Sequence, residues 1–379
     1  MNTIEILNKI QLVNVFEKVT DSKYISIPEK IEKVVVGLYN SDLKHSLLEI
    51  LEIDTELFIE GIKFLRDTSY ASEMQIYLPE KNNRLSDNVI NELKENGIVI
   101  KSGLINRREN RNNLLCHFEH VVKIAILLRG DDINFSYVSI NAEGLRKVAY
   151  GTKISELLEE NINNIKFLEV GNRYFDQSIV EKNIEQVSIT NGTINTFNEN
   201  SCIIHEANKE ILEYREKSCG KCLFCREGLI QLNTMMDEIS IGKGKLTYIP
   251  LMQEIGEAMN ISGNCSLGDE VAESVLSSLQ IREVDYLDHI KKKKCSSGVC
   301  ISNENIYIDP KLCIGCEECI SSCSLGCIDG RKGYIHMLYD LDCTKCGKCI
   351  SKCKAGAIKK ITGKVPRLPD RLTKCKMFK

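Results

Sequence analysis

Several things are scarce in this chain, and each scarcity removes a class of answer. No apolar run approaches a membrane span: the longest, around Val121 to Leu128, is interrupted by Lys123 and falls far short of the roughly 20 residues required. Met1 to Ile10 lacks the basic start and apolar core of a secretion signal. Excess charge of either sign is missing, with 50 basic against 53 acidic residues and a net charge of -3. Neither a nucleic-acid footprint nor a solvating acidic tail is implied. We therefore expect a cytoplasmic protein with no nucleic-acid partner and no membrane span. Glycine is thin in the first 130 residues, where only Gly37, Gly61, Gly97, Gly103 and Gly130 occur. They are too scattered for one loop to press several backbone amides against a phosphate.

Cysteine is scarce only at first. Of 18 cysteines, Cys116 and Cys202 alone lie before position 219. A disulfide-rich secreted protein is the alternative, but the compartment and the short regular spacings favour metal or clusters. With 379 residues and 43% hydrophobic content the chain can bury more than one core.

The first part alternates strand-like runs, Val34 to Val36, Met74 to Leu78 and Ile98 to Ile100, with helix-like ones, Thr55 to Arg66, Asn88 to Glu95 and Phe118 to Leu128. An α/β layer is expected. From Phe135 the order is strand (Phe135 to Ile140), strand (Leu145 to Ala149), short helix (Ile154 to Glu160), then strands near Phe167 to Val170 and Gln186 to Ile189, which suits a β-grasp module. After Ser201 the period becomes helical. Ile204, Ala207, Ile211 and Tyr214 form one stripe, and Leu229, Leu232, Met236 and Ile239 another. Pro250 opens a third helix, and Asp269 can cap a fourth carrying Ala272, Val275 and Leu279. Lys291 to Lys294 reads as a solvated linker, and Val365 to Lys379, with Pro366 and Pro369, as an extended tail.

Two cysteine segments repeat at an offset of 30 residues: Cys313, Cys316, Cys319, Cys323 and Cys343, Cys346, Cys349, Cys353 each spell C-x2-C-x2-C-x3-C. Three thiolates of such a turn hold one cubane while the fourth completes the other. The expected sets are therefore crossed, Cys313, Cys316, Cys319 and Cys353 for one 4Fe-4S cluster and Cys323, Cys343, Cys346 and Cys349 for the other. Paired zinc sites are the alternative, since C-x2-C also suits zinc. A third C-x2-C-x2-C run, Cys219, Cys222 and Cys225, stands just before a helix, whose amides and dipole suit an anionic cluster. Cys265, between two helices, is its candidate fourth ligand.

These segments carry resemblances. Residues 302 to 362 resemble bacterial two-cluster ferredoxins, except that Ser324 and Lys354 stand where that family has proline after each fourth cysteine. Ser218 to Gly228 (SCGKCLFCREG), followed by Cys265 to Asp269 (CSLGD), resembles the cluster domain of the flavoprotein, NADH-oxidising subunits of complex I and soluble bifurcating hydrogenases. Tyr150 to Leu158 is similar to that family's soluble-ligand-binding β-grasp module. The appended ferredoxin is the arrangement of the hydrogenase branch, in which a linker histidine and two cysteines precede it, as do His289, Cys295 and Cys300 here. With Cys202 as a fourth ligand these could hold one structural zinc; free thiols and a surface imidazole are the alternative. The family binds FMN through a glycine-rich loop, and that loop is missing here.

The resemblance implies an α+β multidomain chain: a degenerate flavin-type α/β domain (1–132), a β-grasp module (133–200), a helical 4Fe-4S domain (201–290), a linker (291–302), a two-cluster ferredoxin domain (303–364) and a tail (365–379). Its implied role is an electron-transfer subunit with three 4Fe-4S clusters and no FMN or NADH site, serving a hydrogenase, formate dehydrogenase or similar catalytic subunit alongside other iron–sulfur subunits. A divergent FMN-dependent NADH dehydrogenase and a redox-sensing scaffold are the other readings. No catalytic acid–base pair or nucleophile stands out. His117 and His120 read as a partly exposed helical face, Cys116 as core, Cys327 as small-residue packing and Cys375 as a free thiol.

Overall fold

The computed structural model describes residues 31–80, 85–105, 110, 112–262, 265–300, 304–339, 343, 345–362 and 365–378. The readings made on Met1 to Ile10, on Gly263 and Asn264 and on residues 301–302 lie outside them. The chain is a mixed α/β protein whose described residues fall into two compact units, one drawn from 1–235 with 247–283, the other from 236–246 with 284–379.

The first unit begins with a four-stranded parallel sheet in the order β3-β2-β1-β4. Its strands are β1 (Lys33–Gly37), β2 (Glu73–Leu78), β3 (Ile98–Ser102) and β4 (Leu114–His117). Val34, Val35 and Val36 are wholly buried, as a central parallel strand covered on both faces requires. Helix α1 (Thr55–Ser69) connects β1 to β2, α2 (Asp87–Glu95) connects β2 to β3, and α3 (Phe118–Arg129) follows β4. Ser86 starts α2 as its cap, accepting from the Val89 amide. Gly61 of α1 lies against the Val121 carbonyl of α3, an approach that leaves no room for a Cβ. Lys123, expected only as a break in an apolar run, is fully buried; its ammonium reaches Glu119 at 2.8 Å and the Phe135 carbonyl at 2.6 Å. The helical reading of His117 is corrected: it ends β4 and caps α3 by accepting from the Glu119 amide, while Cys116 beside it is core, as expected. His117 and His120 are buried rather than partly exposed.

A five-stranded sheet follows in the order β6-β5-β9-β7-β8. It comprises β5 (Phe135–Ile140), β6 (Leu145–Ala149), β7 (Ile165–Val170), β8 (Arg173–Phe175) and β9 (Thr193–Asn198), with β5 and β9 parallel and the other pairs antiparallel. The strand expected at Gln186 to Ile189 is not there. Residues Ile184–Gln186 form a 3-10 turn, and the strand lies later, at Thr193–Asn198, between β5 and β7. The short helix ends at Leu157, where the Arg146 guanidinium takes up the carbonyl at 3.1 Å and Leu158 turns extended.

Four helices come next: α4 (Ile203–Lys217), α5 (Leu223–Ser240), α6 (Tyr248–Ser262) and α7 (Ser266–Leu287). The predicted stripe Ile204, Ala207, Ile211 and Tyr214 is buried along α4. Pro250 sits in the first turn of α6, where a missing amide hydrogen costs nothing. Because α7 begins at Ser266, Asp269 falls inside its first turn and not at the cap position.

In the second unit, Tyr286 donates to the Met236 sulfur at 3.6 Å, and Asp288–Lys292 forms a π-helical turn that buries His289 and Ile290 and exposes Lys291 and Lys292. Beyond it the 30-residue repeat becomes a structural one. Strand β10 (Glu304–Ile308), α8 (Glu318–Ser322) and β11 (Ile328–Asp329) are matched by β12 (Met337–Leu338), α9 (Lys348–Lys352) and β13 (Ile358–Thr362). β10 pairs with β13 and β11 with β12, both antiparallel. Gly315, at φ 68°, allows the chain to pass the Gly333 amide, which a Cβ would meet at 2.6 Å. The tail is extended but anchored: Ile335 donates to the Thr373 carbonyl at 2.9 Å and Cys375 to that of Gly333 at 3.0 Å.

Candidate cluster sites

Twelve cysteines gather in three places. In the first unit, Cys219, Cys222, Cys225 and Cys265 line one cavity with Leu104, Ser218, Leu267 and Gly268. The Cys219 segment ends in α5, whose first turn holds Cys225, and Cys265 stands one residue before α7. Two helix starts therefore face the same sulfurs. The Leu267 and Gly268 amides and the Asn40 side chain bond to the Cys265 sulfur, and the Ser218 hydroxyl lies 3.8 Å from Cys225 Sγ. Burial above all, with the neighbouring cysteines adding to it, pushes the Cys225 thiol up to about 11. Bound iron would offset that cost of burial, since a coordinating thiol is deprotonated outright.

Sequence reasoning gave no sign of Asn40 and Leu104. Asn40 follows β1; its amide exchanges hydrogen bonds with the Ile105 backbone, at 2.8 Å to the carbonyl and 2.9 Å from the amide. That exchange brings the loop after β3 to the cavity. A short polar segment with no periodicity carries no signal from which this could be read.

In the second unit the eight repeated cysteines divide between two cavities. Cys313, Cys316, Cys319 and Cys353 line one, together with His336, Ala355 and Ala357. Cys323, Cys343, Cys346 and Cys349 line the other, with Ile306, Cys327 and Ile328. The grouping is crossed: each cavity takes three cysteines from one turn and the fourth from the other. The fourth cysteines are treated alike, Cys323 Sγ accepting from the Cys327 amide and Cys353 Sγ from the Ala357 amide, both at 3.3 Å. Neither turn needs the absent proline to form. Cys319 is pushed up to about 11, first by burial and then by Cys313 and Cys316. Cys327, in the wall of the Cys323 cavity, is 2% exposed, and Cys375 in the tail is not a remote thiol, since it hydrogen-bonds to Cys313.

The candidate zinc residues are all buried. In the second unit the ligand atoms of His289, Cys295 and Cys300 lie within 4.8 Å of one another. His289 Nδ1 donates to the Asp285 carbonyl at 2.7 Å, the tautomer that leaves the acceptor lone pair on Nε2 for a metal. Cys202 stands immediately before α4 in the first unit, at its cap position.

The ends of the parallel strands are covered by the chain's own side chains. Open α/β sheets bind ligands beyond the carboxyl ends of their strands. Here Gly37 and His117, the last residues of β1 and β4, lie in register. Tyr39 stacks on His117 with ring centroids 5.0 Å apart, and Ile105 closes over Gly37. His117 Nε2 is buried with no hydrogen-bond partner among the described residues. Burial, followed by the nearby His120 and Lys123 charges, holds His117 well below the usual imidazole range, so the ring is neutral.

Residues 207–289 match the NADH-ubiquinone oxidoreductase-F iron-sulfur binding region. The chain is 32% identical over 146 residues to HndC, a component of the NADP-reducing hydrogenase of Solidesulfovibrio fructosivorans, covering 38% of this chain and 30% of that one. It is 32% identical over 99 residues to the F component of the NADH-quinone oxidoreductase of Streptomyces coelicolor, covering 26% and 22% respectively. The chain thus spans less than a third of either relative's length. Among solved structures, the NAD+-reducing [NiFe]-hydrogenase in its H2-reduced state superposes with a TM-score of 0.57 at 12% identity, over 69% of this chain and 57% of that one. The resemblance to the flavoprotein subunits of complex I and hydrogenases is thereby supported, and with it an iron–sulfur cofactor. No described helix is long and apolar enough to cross a membrane.

Proposed function

We propose that this chain relays single electrons through three 4Fe-4S clusters as a subunit of a larger oxidoreductase, without an FMN or NADH site of its own. The observation that carries the reading is the sorting of twelve cysteines into three cavities of four. When bound, a cubane supplies one-electron storage at a potential set by its surroundings. The ligand sets are Cys219, Cys222, Cys225 and Cys265; Cys313, Cys316, Cys319 and Cys353; and Cys323, Cys343, Cys346 and Cys349. Protein groups do the rest. Asn40 and the first amides of α7 hold Cys265 and offset sulfur charge, and the Cys327 and Ala357 amides do the same for the fourth cysteine of each later set.

The domain reading goes with this function. The parallel sheet is a reduced flavin-type layer, the five-stranded sheet a β-grasp module, α4 to α7 the cluster-bearing helices, and β10 to β13 a two-cluster ferredoxin. A structural zinc with His289, Cys295 and Cys300 among its ligands would tie down the segment before the ferredoxin part. The catalytic partner is a hydrogenase, a formate dehydrogenase or a similar reductase; the likeness to the hydrogenase component of Solidesulfovibrio fructosivorans favours the first.

A second reading, an FMN-dependent NADH dehydrogenase subunit, is favoured by the names of the two relatives and by the parallel sheet. Against it stand the stacked rings where the sheet would open to a ligand. One experiment separates them: anaerobic reconstitution of the full chain, with iron, sulfide and flavin assays and NADH added to the oxidised protein. Three cubanes require about twelve irons, with no bound flavin and no bleaching by NADH. About eight irons or fewer contradicts the cluster count, and stoichiometric FMN favours the second reading.

A further inference from the structure

The two halves of the ferredoxin-like repeat differ at one position that faces the sulfurs. Ile306 and His336 are equivalent, each standing seven residues before the first cysteine of its turn. Ile306 lines the cavity of Cys323, Cys343, Cys346 and Cys349, and His336 that of Cys313, Cys316, Cys319 and Cys353. An aliphatic side chain offers its sulfurs nothing. His336 places Nδ1 3.6 Å from Cys313 Sγ, while its Nε2 is buried with no hydrogen-bond partner among the described residues. The ring is 2% exposed and packs against Gly330, where a Cβ would collide with it. With Nδ1 making the ring's polar contact and Nε2 making none among the described residues, the proton belongs on Nδ1, directed at sulfur.

Backbone donors serve both halves, with the Leu325 and Gly326 amides adding to those at Cys323. The Cys327 and Ala357 amides serve Cys323 and Cys353 at the same 3.3 Å, and the Lys345 amide lies 3.4 Å from Cys343 Sγ. Side-chain donors differ in kind: the Cys327 thiol serves Cys323 in one half, the Cys375 thiol serves Cys313 in the other, and His336 adds to Cys313 an imidazole N–H that the opposite half lacks. Reduction adds negative charge that spreads onto the ligating sulfurs, and an N–H aimed at such a sulfur stabilises the reduced state.

We propose that His336 is a positioning residue that donates an N–H···S hydrogen bond to Cys313, making the cluster of Cys313, Cys316, Cys319 and Cys353 the more easily reduced of the two C-terminal clusters. An electron entering this pair settles on that side. The inference rests on the reading that these eight cysteines hold two 4Fe-4S clusters.

The test uses the full chain, reconstituted anaerobically, with iron and sulfide counted before a redox titration followed by EPR. His336→Ile, which copies the opposite half, should keep about twelve irons and move one midpoint to a more negative potential while the other two stay. His336→Gln, which retains an N–H donor, should recover part of that shift. Three unmoved midpoints in a fully loaded His336→Ile protein overturn the proposal. Should that variant lose iron, pulsed EPR of the wild-type chain labelled with nitrogen-15 histidine decides: the proposal requires imidazole coupling to a single reduced cluster, and its absence overturns it. A wild-type chain holding about eight irons or fewer instead overturns the three-cluster reading beneath it.

Discussion

Tyr39 and His117 stack at 5.0 Å with their planes 21° apart, at the carboxyl ends of the adjacent strands β1 and β4. The pair fills the place where a parallel sheet ordinarily meets its ligand, and burial keeps the imidazole neutral. NADH added anaerobically to the oxidised chain should therefore leave the cluster absorbance unchanged, and FMN should elute unbound on gel filtration. The stack also belongs to the core, since Tyr39 is 4% exposed. Tyr39→Ala should cost about 3 kcal/mol, the usual loss for a large buried aromatic, read as a lower unfolding midpoint.

The crossed ligand sets make a prediction that uncrossed ones do not. Cys313 and Cys353 line one cavity although they lie at opposite ends of the repeat, so Cys313→Ala and Cys353→Ala should abolish the same EPR signal. Each single variant should lose about four irons, and the double variant no more than either alone. If sequence-adjacent cysteines shared a cluster, the double variant would lose about eight. Cys375→Ser serves as the control: although this thiol touches Cys313, it belongs to none of the sets and should leave the iron count unchanged.

The parts of this chain that were legible are those with one dominant period. Val34 to Val36 and Met74 to Ile76 announce buried parallel strands because nothing polar interrupts them, apart from Gln75, whose amide bonds to Glu73 at 2.8 Å. The cysteine repeat announces itself through spacing alone. Strand β9 was illegible because its sequence, Thr193-Ile194-Asn195-Thr196-Phe197-Asn198, is mostly polar, and its polar groups are satisfied locally. Thr193 bonds to Asn191, and Asn195 to Glu169. His117 read as helix because it stands three residues before His120, a helical spacing that the strand end at His117 happens to share. Asn40, His336 and the anchoring of Cys375 depend on contacts between distant segments, which no local pattern encodes.

An acidic pair, Glu169 buried and Glu210 half-buried, should give the first unit a measurable pH dependence. Glu169 accepts from Lys44 at 2.8 and 2.9 Å and from Asn195 at 3.0 Å, while Glu210 accepts from the Ser274 hydroxyl at 2.6 Å and hydrogen-bonds to Glu169. Burial first, then the Glu169 charge, drives Glu210 well above its ordinary value of 4.5. The folded chain therefore holds this proton after the unfolded chain has released it. The resulting stability is complete below pH 4.5 and is lost as pH rises towards the raised native value. Glu210→Gln removes that loss while keeping a donor for Glu169. Its stability relative to wild type should climb with pH above 4.5, measured as urea midpoints across a pH series; parallel curves would show that Glu210 ionises normally.

Gly61 offers a test of the helix crossing that supports the parallel sheet. Replacing a glycine inside a helix by alanine ordinarily stabilises, by about 1 kcal/mol, because alanine has less backbone freedom to lose. At position 61 the added methyl would press into the Val121 carbonyl, which is backbone and cannot swing aside. To make room, α1 and α3 must separate, which would loosen Phe58 from Phe118, now 5.5 Å apart by ring centroid. Gly61→Ala should therefore destabilise by about 1–3 kcal/mol, the range for an overpacked core, reversing the intrinsic helical preference. The companion change Lys63→Ala, at a half-buried position on the same helix, should stay within about 1 kcal/mol of wild type, the cost of losing its bond to Asn96. A Gly61→Ala chain as stable as wild type would mean that the two helices do not cross this closely.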